Sequence, residues 1–144
     1  MKKRKPHEKK SIITKTLQER STVRQLTGDL FVISLKHLDK MQGARFADWD
    51  HEGILARAMD VLEGYCNAPL RAQAVNDKFT IYGDFPPPDK TNFFHPSHVP
   101  EDAEWARIHV TGKQCIAGHV VQNTFYIVFL DSDHSFWKTE LKNT

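Results

Sequence analysis

Short apolar runs separated by tight polar turns dominate the last forty residues of the chain. The runs are Trp105–Thr111, Gln114–Val121 and Thr124–Leu130, and the pairs Gly112-Lys113 and Gln122-Asn123 separate them. Runs of this length match ordinary strands, and turns this short can join only antiparallel neighbours. The segment therefore predicts a three-stranded antiparallel meander, and the third run, apolar on both faces, is predicted to lie in the interior of the sheet.

The preceding residues predict two further strands and two helices. Leu30–Leu35 is rich in β-formers and predicts a buried strand, and residues 78–85 predict another. Between them, apolar residues recur at helical spacing over 54–65, with Asp48 or Asp50 as the cap, and Pro69 suits the first turn of a shorter helix. This order predicts an α+β domain of two layers, with helices on one face of a mostly antiparallel sheet.

The chain divides into a basic arm, residues 1–28, and one domain, residues 29–144. Nine Lys or Arg and two acids lie in residues 1–25, whereas the remaining residues carry eleven against sixteen. We predict a partly disordered arm with a short helix from Ser11. The arm either neutralises nucleic-acid phosphates or is a solvated tail. Five of the seven prolines lie at positions 86–100, which predicts a long loop over 86–104, and loops of this length are usually functional or mobile.

Composition predicts a cytoplasmic protein. Hydrophobic residues make up 40% of the chain and charged residues 26%, as in soluble globular proteins. No apolar run approaches the roughly 20 residues of a membrane helix, and no secretory signal follows the basic start. Cys66 and Cys115 form no CxxC pair, so they are interpreted as buried free thiols in a reducing compartment.

Strand alternation separates core positions from polar positions on the first strand of the meander. Ala106, Ile108 and Val110 share one face, and Arg107 and His109 share the other. A guanidinium suits phosphate, and an imidazole titrates near neutrality. The second face is therefore either a functional surface or the solvent side of an amphipathic strand.

Histidines on the later strands are further candidates. His134 follows the last strand, with Asp131 and Asp133 beside it and Phe136 and Trp137 after it. Nearby carboxylates raise the pKa of an imidazole, and aromatic rings stack on bases. The alternative is a C-terminal turn packed by its aromatic residues. His119, within the middle strand, is either a hydrogen-bonded structural residue or a functional one.

Motifs for metals and cofactors are missing from the sequence, so we predict no cofactor and no metal. The two imidazoles of His95-Pro96-Ser97-His98 lack the spacing of a helical zinc motif. A cation site at Asp131, Asp133 and His134 is the one alternative. The sequence contains no phosphate-binding loop, dinucleotide fingerprint or serine nucleophile elbow.

The chain resembles the RelE/ParE superfamily of small toxins, and most closely its ribosome-dependent members that cleave mRNA. The likeness rests on the order of elements and on three segments: Trp105-Ala106-Arg107, Lys113-Gln114, and 131–137 with His134. The family often has an arginine at the start of the middle strand, where this chain has Gln114. Its strongly basic surface is also absent, because residues 26–144 are net negative.

The resemblance implies metal-independent cleavage of RNA, in a toxin–antitoxin or phage-defence setting. An antitoxin and mRNA on the ribosome are the implied partners. His134 would be the acid or base, with His109 or His119 as a second proton carrier. The remaining residues implied at the site are cations or aromatic groups that contact RNA: Arg107, Lys113, Phe136, Trp137 and Lys138.

Two other functions stay open from the sequence. The first is a non-enzymatic interaction module that binds protein or nucleic acid through the basic arm and the proline-rich loop. The second is a metal-dependent nuclease or another enzyme. The sequence predicts no membrane association and makes no prediction of oligomeric state.

Overall fold

A five-stranded sheet forms the centre of residues 29–139, the part of the chain that the computed structural model describes. The strand order is β1-β5-β4-β3-β2, with β1 parallel to β5 and all other neighbours antiparallel. The predicted α+β class and the meander β3-β4-β5 are confirmed, and β5, which was predicted to lie in the interior of the sheet, has β1 and β4 as its neighbours. The elements in chain order are β1 (Val32–Ser34), α1 (Phe46–His51), α2 (Leu55–Tyr65), α3 (Leu70–Gln73), β2 (Phe79–Gly83), β3 (Glu104–His109), β4 (Cys115–Val121) and β5 (Thr124–Asp131).

The helices cover one face of the sheet. Ala58 and Leu62, one turn apart on α2, are buried against it, and Trp49 of α1 is fully buried. The indole Nε1 of Trp49 donates to Ser132 Oγ at 2.8 Å, which ties α1 to the end of β5. The core on this face consists of buried residues from the helices, from the sheet and from the segment just before β1: Phe31, Trp49, Ala58, Leu62, Leu70, Phe79, Ala106, Ile108, Val110, Ile116, Val120, Phe125, Ile127 and Leu130.

The helix predicted over 54–65 is confirmed as α2 and the short helix after Pro69 as α3, but the predicted cap at Asp48 or Asp50 was wrong, because both residues lie in a separate helix, α1. Gly53 has a φ of 76°, a left-handed conformation that interrupts the helical path between α1 and α2. Asp48 lies inside α1, where its carboxylate accepts a hydrogen bond from the Arg45 amide at 2.8 Å. Asp48 therefore stabilises the start of α1, and α2 begins without a side-chain cap.

The first strand is shorter and more exposed than the sequence predicted. Only Val32–Ser34 form strand pairing, and their partner is β5. β1 is therefore an edge strand of the sheet. Phe31 is buried in the core, but Val32 and Leu35 are 48% and 53% exposed. An edge strand has a neighbour on one side only, so apolar residues there are only partly covered. The predicted buried strand was therefore wrong in length and in burial.

The proline-rich segment, residues 84–103, packs over the second face of the sheet as a third layer. The Phe93 ring lies 4.5 Å from the Phe129 ring, and Phe85 lies 5.0 Å from Trp105, measured between ring centroids. Phe136, from the tail after β5, is fully buried in the same cluster. Aromatic packing therefore holds this long loop on the sheet.

The basic arm and its predicted helix from Ser11 lie outside the described residues. Among residues 29–139, none of the helices combines the length and the apolar character that crossing a bilayer requires. Both cysteines are free thiols, and Cys115 is fully buried whereas Cys66 is half-buried.

Candidate active site

Two imidazoles and a thiol meet where β3 and β4 approach their turn. His109 pairs with Cys115 across the two strands, so both side chains project from the second face of the sheet. The Nδ1 atom of His109 lies 3.5 Å from Cys115 Sγ, and the rings of His109 and His134 are 5.1 Å apart with a tilt of 40°. One nitrogen of each ring and the sulfur all lie within 4.8 Å of one another. We call these three residues the His109 cluster.

The turn between β3 and β4 is closed by Gln114, the residue that replaces the arginine expected from the resemblance. The Thr111 hydroxyl donates to the Gln114 side-chain oxygen and accepts from the amides of Gln114 and Lys113 at 3.0 and 3.2 Å. The Gln114 carbonyl accepts from the Val110 amide at 2.9 Å. Gln114 therefore fixes the register that sets His109 opposite Cys115.

Asp131 holds the segment that carries His134. Its carboxylate is 1% exposed and accepts hydrogen bonds from the amides of Asp133, Ser135 and Phe136, at 3.3, 3.0 and 2.8 Å. His134 adopts a φ of 57°, a left-handed conformation that is uncommon for a residue other than glycine. Charge-assisted bonds on both sides of His134 thus stabilise a tight turn that directs its ring toward His109.

The two carboxylates that flank His134 in the sequence have other partners than its ring. Asp131 binds the tail backbone, and Asp133, which is exposed, lies with a carboxylate oxygen 3.8 Å from Lys113 Nζ. Both acids therefore bind groups other than the imidazole that lies between them in the sequence. The alternative cation set of Asp131, Asp133 and His134 is likewise not brought together in residues 29–139, where His109 and Cys115 join His134 instead.

Arg107 supplies a buried cation beside the His109 cluster. It is 6% exposed, and its Cζ atom lies 5.5 Å from the centre of the Tyr82 ring. Trp137 stacks on the Tyr82 ring, with the two ring centroids 4.3 Å apart and an angle of 8° between the ring planes. The solvent-facing alternative for Arg107 is therefore wrong, because Tyr82 and the packing on this face cover it.

Burial and the Arg107 charge favour a neutral ring and a neutral thiol. Burial lowers the pKa of His109, and the positive charge of Arg107 lowers it further. Burial also raises the pKa of the Cys115 thiol to about 12, although Arg107 opposes this shift. Near neutral pH, His109 can therefore accept a proton, while Cys115 remains protonated.

The other predicted RNA-contacting residues differ in their accessibility. Lys113 and Lys138 are exposed, and the Lys138 amide donates to the Lys90 carbonyl at 2.7 Å. Trp137 is half-buried, with one face on Tyr82. Phe136 is fully buried in the aromatic core, so the expectation that it stacks on a base was wrong.

An open cavity of about 490 Å³ lies beside His109. Arg57 and Lys78 line it with positive charge, and Asp77 adds one negative charge. The Lys78 carbonyl also accepts from the His109 amide at 2.8 Å, which anchors His109 at the cavity edge. His109 therefore borders a cavity whose charged lining residues are two cations and one acid.

His119 lies in a second group, which we call the His119 cluster and define as His37, His119 and Tyr126. His37 Nδ1 lies 2.8 Å from His119 Nε2, and Tyr126 stacks on both rings, with centroids 4.7 and 4.8 Å away. His119 pairs with Trp105 rather than with His109, so it lies about 13 Å along β4 from Cys115. The structure therefore separates His119 from His134.

Burial dominates the electrostatics of the His119 cluster. His119 is 2% exposed, and burial lowers its pKa to about 4, with His37, His95 and His98 lowering it further. The pKa of His37 is also lowered, chiefly by burial. Both rings are therefore neutral at neutral pH, which matches the structural alternative for His119.

Sequence reasoning missed several residues of the two clusters. Cys115 was interpreted only as a buried thiol, although the hairpin register places it opposite His109. Tyr82 was recognised as a strand residue without a role, and His37 had no signal in the sequence. The register of a short hairpin was the one clue that could have joined His109 to Cys115 in advance.

No protein-family model matches the chain, and no curated protein or solved structure matches it. Two facing imidazoles can take up and release protons, and a fixed guanidinium can stabilise negative charge.

Proposed function

We propose that the protein is an endoribonuclease that cleaves mRNA by acid–base catalysis, as a toxin of the RelE kind. The observation that carries the proposal is the proximity of two half-buried imidazoles, His109 and His134, beside the buried cation Arg107. Such a pair supplies the base and the acid that phosphodiester transfer needs, and the cation offsets the charge that develops on phosphate.

The reaction is an internal transfer at one phosphate of the RNA. One imidazole removes the proton of the 2′-hydroxyl, whose oxygen then forms a bond to the adjacent phosphorus. The bond from phosphorus to the 5′-oxygen breaks, and the other imidazole gives its proton to that oxygen. The products are a 2′,3′-cyclic phosphate and a 5′-hydroxyl, and the protein is left with the proton on the opposite ring.

Positive charge near the cluster supports binding of the phosphate. Arg107 is held in place by Tyr82 and so stabilises charge without reorganisation. Lys113 is exposed and only 3.8 Å from Asp133, a weak surface pair that a phosphate can replace. The exposed side of Trp137 offers a surface on which a base stacks, and Lys138 follows it in the chain.

The proposed setting rests on the resemblance to the RelE/ParE superfamily. It implies that the substrate is mRNA on the ribosome and that a partner protein neutralises the toxin. A net-negative domain approaches RNA less readily than a basic one, so the basic arm, residues 1–28, is proposed to provide the attraction to phosphates.

Cleavage assays with single-histidine variants test the proposal. The full-length protein should cleave mRNA in a translation mixture, and His134→Ala and His109→Ala should each reduce the rate by about 10²- to 10⁴-fold. His51→Ala, which alters an exposed histidine on α1, is the matched control and should cleave like the wild type. Wild-type rates in both cluster variants, or products with a 3′-hydroxyl, would contradict the mechanism.

Growth after induction tests the toxin setting. Induced protein should arrest growth, and the double change His134→Ala with Lys113→Ala should relieve the arrest. Full toxicity of that double variant at equal protein levels would rule out the site assignment. Absence of both toxicity and cleavage would favour the second candidate function.

The second candidate is a non-enzymatic interaction module, and Phe94 is the observation that favours it. This ring is 78% exposed and lines a cavity of about 530 Å³ in the proline-rich segment, together with Phe85 and Phe93. Removing residues 1–10 distinguishes binding through the basic arm from binding through the proline-rich segment. Unchanged nucleic-acid affinity and salt dependence after truncation would exclude the arm as a phosphate clamp.

A further inference from the structure

Cys115 has no part in the proposed proton transfers, although its sulfur lies among the groups that perform them. Its side chain is fully buried, whereas the imidazoles of His109 and His134, which lie close to the sulfur, are half-buried. A thiol and two imidazoles that face one point are the donor set of a zinc centre, because zinc prefers sulfur and nitrogen ligands.

The spacing of the three donors is close to that of a tetrahedral site. Zinc bonds of about 2.3 Å to sulfur and about 2.0–2.1 Å to nitrogen place the ligand atoms about 3.4–3.6 Å apart. His109 Nδ1 and Cys115 Sγ are already 3.5 Å apart, and no pair among the three donors exceeds 4.8 Å. Small rotations of the imidazoles therefore complete the geometry, and β3 and β4 already hold two of the ligands in register.

We propose that His109, Cys115 and His134 bind one zinc-class divalent ion, with the fourth position open to solvent, and that the bound ion switches off RNA cleavage. Coordination releases the Cys115 thiol proton to solvent and occupies a lone pair on each imidazole. Rings that hold a metal cannot exchange protons with RNA. The inhibitory part rests on the proposed ribonuclease function, whereas the metal site stands without it.

Cobalt titration of the full-length, metal-free protein tests the site. Co²⁺ bound to a thiolate gives a sulfur-to-cobalt charge-transfer band in the near ultraviolet, and tetrahedral Co²⁺ absorbs strongly in the visible. We expect both signals to saturate at one ion per chain and to vanish when Zn²⁺ is added. Mg²⁺, which prefers oxygen ligands, should leave the cobalt signals unchanged.

Serine substitutions at the two cysteines assign the sulfur ligand. Cys115→Ser should abolish the charge-transfer band and weaken Zn²⁺ binding by at least about 100-fold, because a weakly acidic hydroxyl replaces the thiolate. Cys66→Ser, at the other free thiol, is the matched control and should bind like the wild type. A band that persists in Cys115→Ser, or no band in folded wild-type protein, would overturn the site.

X-ray absorption of the zinc-loaded wild type gives the same answer without any substitution, so a variant that fails to fold does not decide the matter. One sulfur and two imidazole ligands support the site, and any sulfur-free ligand set overturns it.

Zinc inhibition is measured as the cleavage rate with Zn²⁺ divided by the rate without it, in the same protein. The ratio should fall at least about tenfold for wild type and Cys66→Ser at saturating zinc, and stay near one for Cys115→Ser at that concentration. Zinc bound with an unchanged ratio would overturn the inhibitory part. Absence of cleavage in every protein would refute the ribonuclease, while the cobalt signals would still decide the site.

Discussion

The His109 cluster and the His119 cluster use the same residue type on the same face of one sheet, yet their surroundings give them different chemistry. The His119 cluster is closed, since His119 is 2% exposed and stacks against Tyr126. The His109 cluster is half-open, with a buried thiol below and the cation Arg107 beside it. Burial and neighbouring side chains therefore differ between the two clusters, although the residue type is the same.

Different segments of the chain pack over the two clusters. His98, in the proline-rich segment, reaches the His37 carbonyl with its Nε2 at 2.7 Å and so fastens that segment to the His119 cluster. The His109 cluster is bounded by the tail after β5, which Asp131 holds through three amides. His109 also lines an open cavity, together with Arg57 and Lys78.

The largest expected effect comes from Gly118, which lies between the two clusters on β4. A Cβ there would meet the Tyr126 carbonyl oxygen, at the point where the pairing of β4 with β5 shifts register. Gly118→Ala should therefore lower the free energy of unfolding by about 3 kcal/mol or more, measured by urea denaturation. Gly112→Ala is the control, because its Cβ meets nothing within 4 Å, and an equal loss in both variants would contradict the explanation.

Acid should destabilise the protein through His119. Its folded pKa of about 4 lies below the ordinary 6.5, so the unfolded chain binds more protons between these values. The contribution of His119 to the free energy of unfolding is fully present above pH 6.5. It falls as the pH drops toward 4, by up to roughly 3 kcal/mol. Urea unfolding across this range should be less pH-dependent in His119→Gln than in the wild type.

The matched control for the acid prediction is His51→Gln, since His51 is exposed on α1. Its stability should follow the wild-type pH dependence. Identical pH dependence in His119→Gln and the wild type would show that the His119 cluster is not the source of acid sensitivity.

Asp131→Asn should disturb the His109 cluster and leave the His119 cluster intact. The asparagine side chain lacks the negative charge that binds the backbone amides of Ser135 and Phe136. The free energy of unfolding should therefore fall by about 2 kcal/mol. RNA cleavage should fall as well, because His134 loses its fixed position. Asp133→Asn, at an exposed carboxylate, should change stability by less than about 0.5 kcal/mol.

The smallest expected effect is at Trp137, whose ring stacks on Tyr82. Trp137→Ala should lower stability by about 1 kcal/mol through the lost stacking and should weaken RNA binding by about 1–3 kcal/mol if a base uses the exposed side. Trp137→Phe, which keeps an aromatic ring, should recover most of both losses. Equal binding by wild type and Trp137→Ala would remove this residue from the RNA surface.

Much of the sheet could be predicted because its signals are local. Alternation on β3 correctly separated Ala106 and Ile108 from Arg107 and His109, and the short turns correctly gave the meander. Apolar periodicity over 54–65 correctly gave α2, but the predicted cap at Asp48 or Asp50 was wrong, because the backbone at Gly53 leaves the helical path between α1 and α2. Periodicity records which side chains are apolar and contains no information on backbone conformation at one position.

The candidate site was harder to predict because its contacts depend on tertiary structure. His134 is close to Cys115 only because Asp131 turns the tail back over the sheet, and its neighbours in sequence suggested carboxylate contacts instead. Phe136 was expected at the RNA surface, yet the proline-rich segment encloses it. Contacts between segments distant in sequence decide both outcomes, and single-sequence patterns do not encode them.

The placement of β5 between β1 and β4 has a consequence for synthesis on the ribosome. Val32 of β1 pairs with Thr124 of β5. This early strand therefore cannot pair until β5, near the end of the described residues, has been synthesised. Such high contact order delays completion of the sheet until β5 has emerged from the exit tunnel. His134 follows β5, so the His109 cluster forms only after β5 has been synthesised.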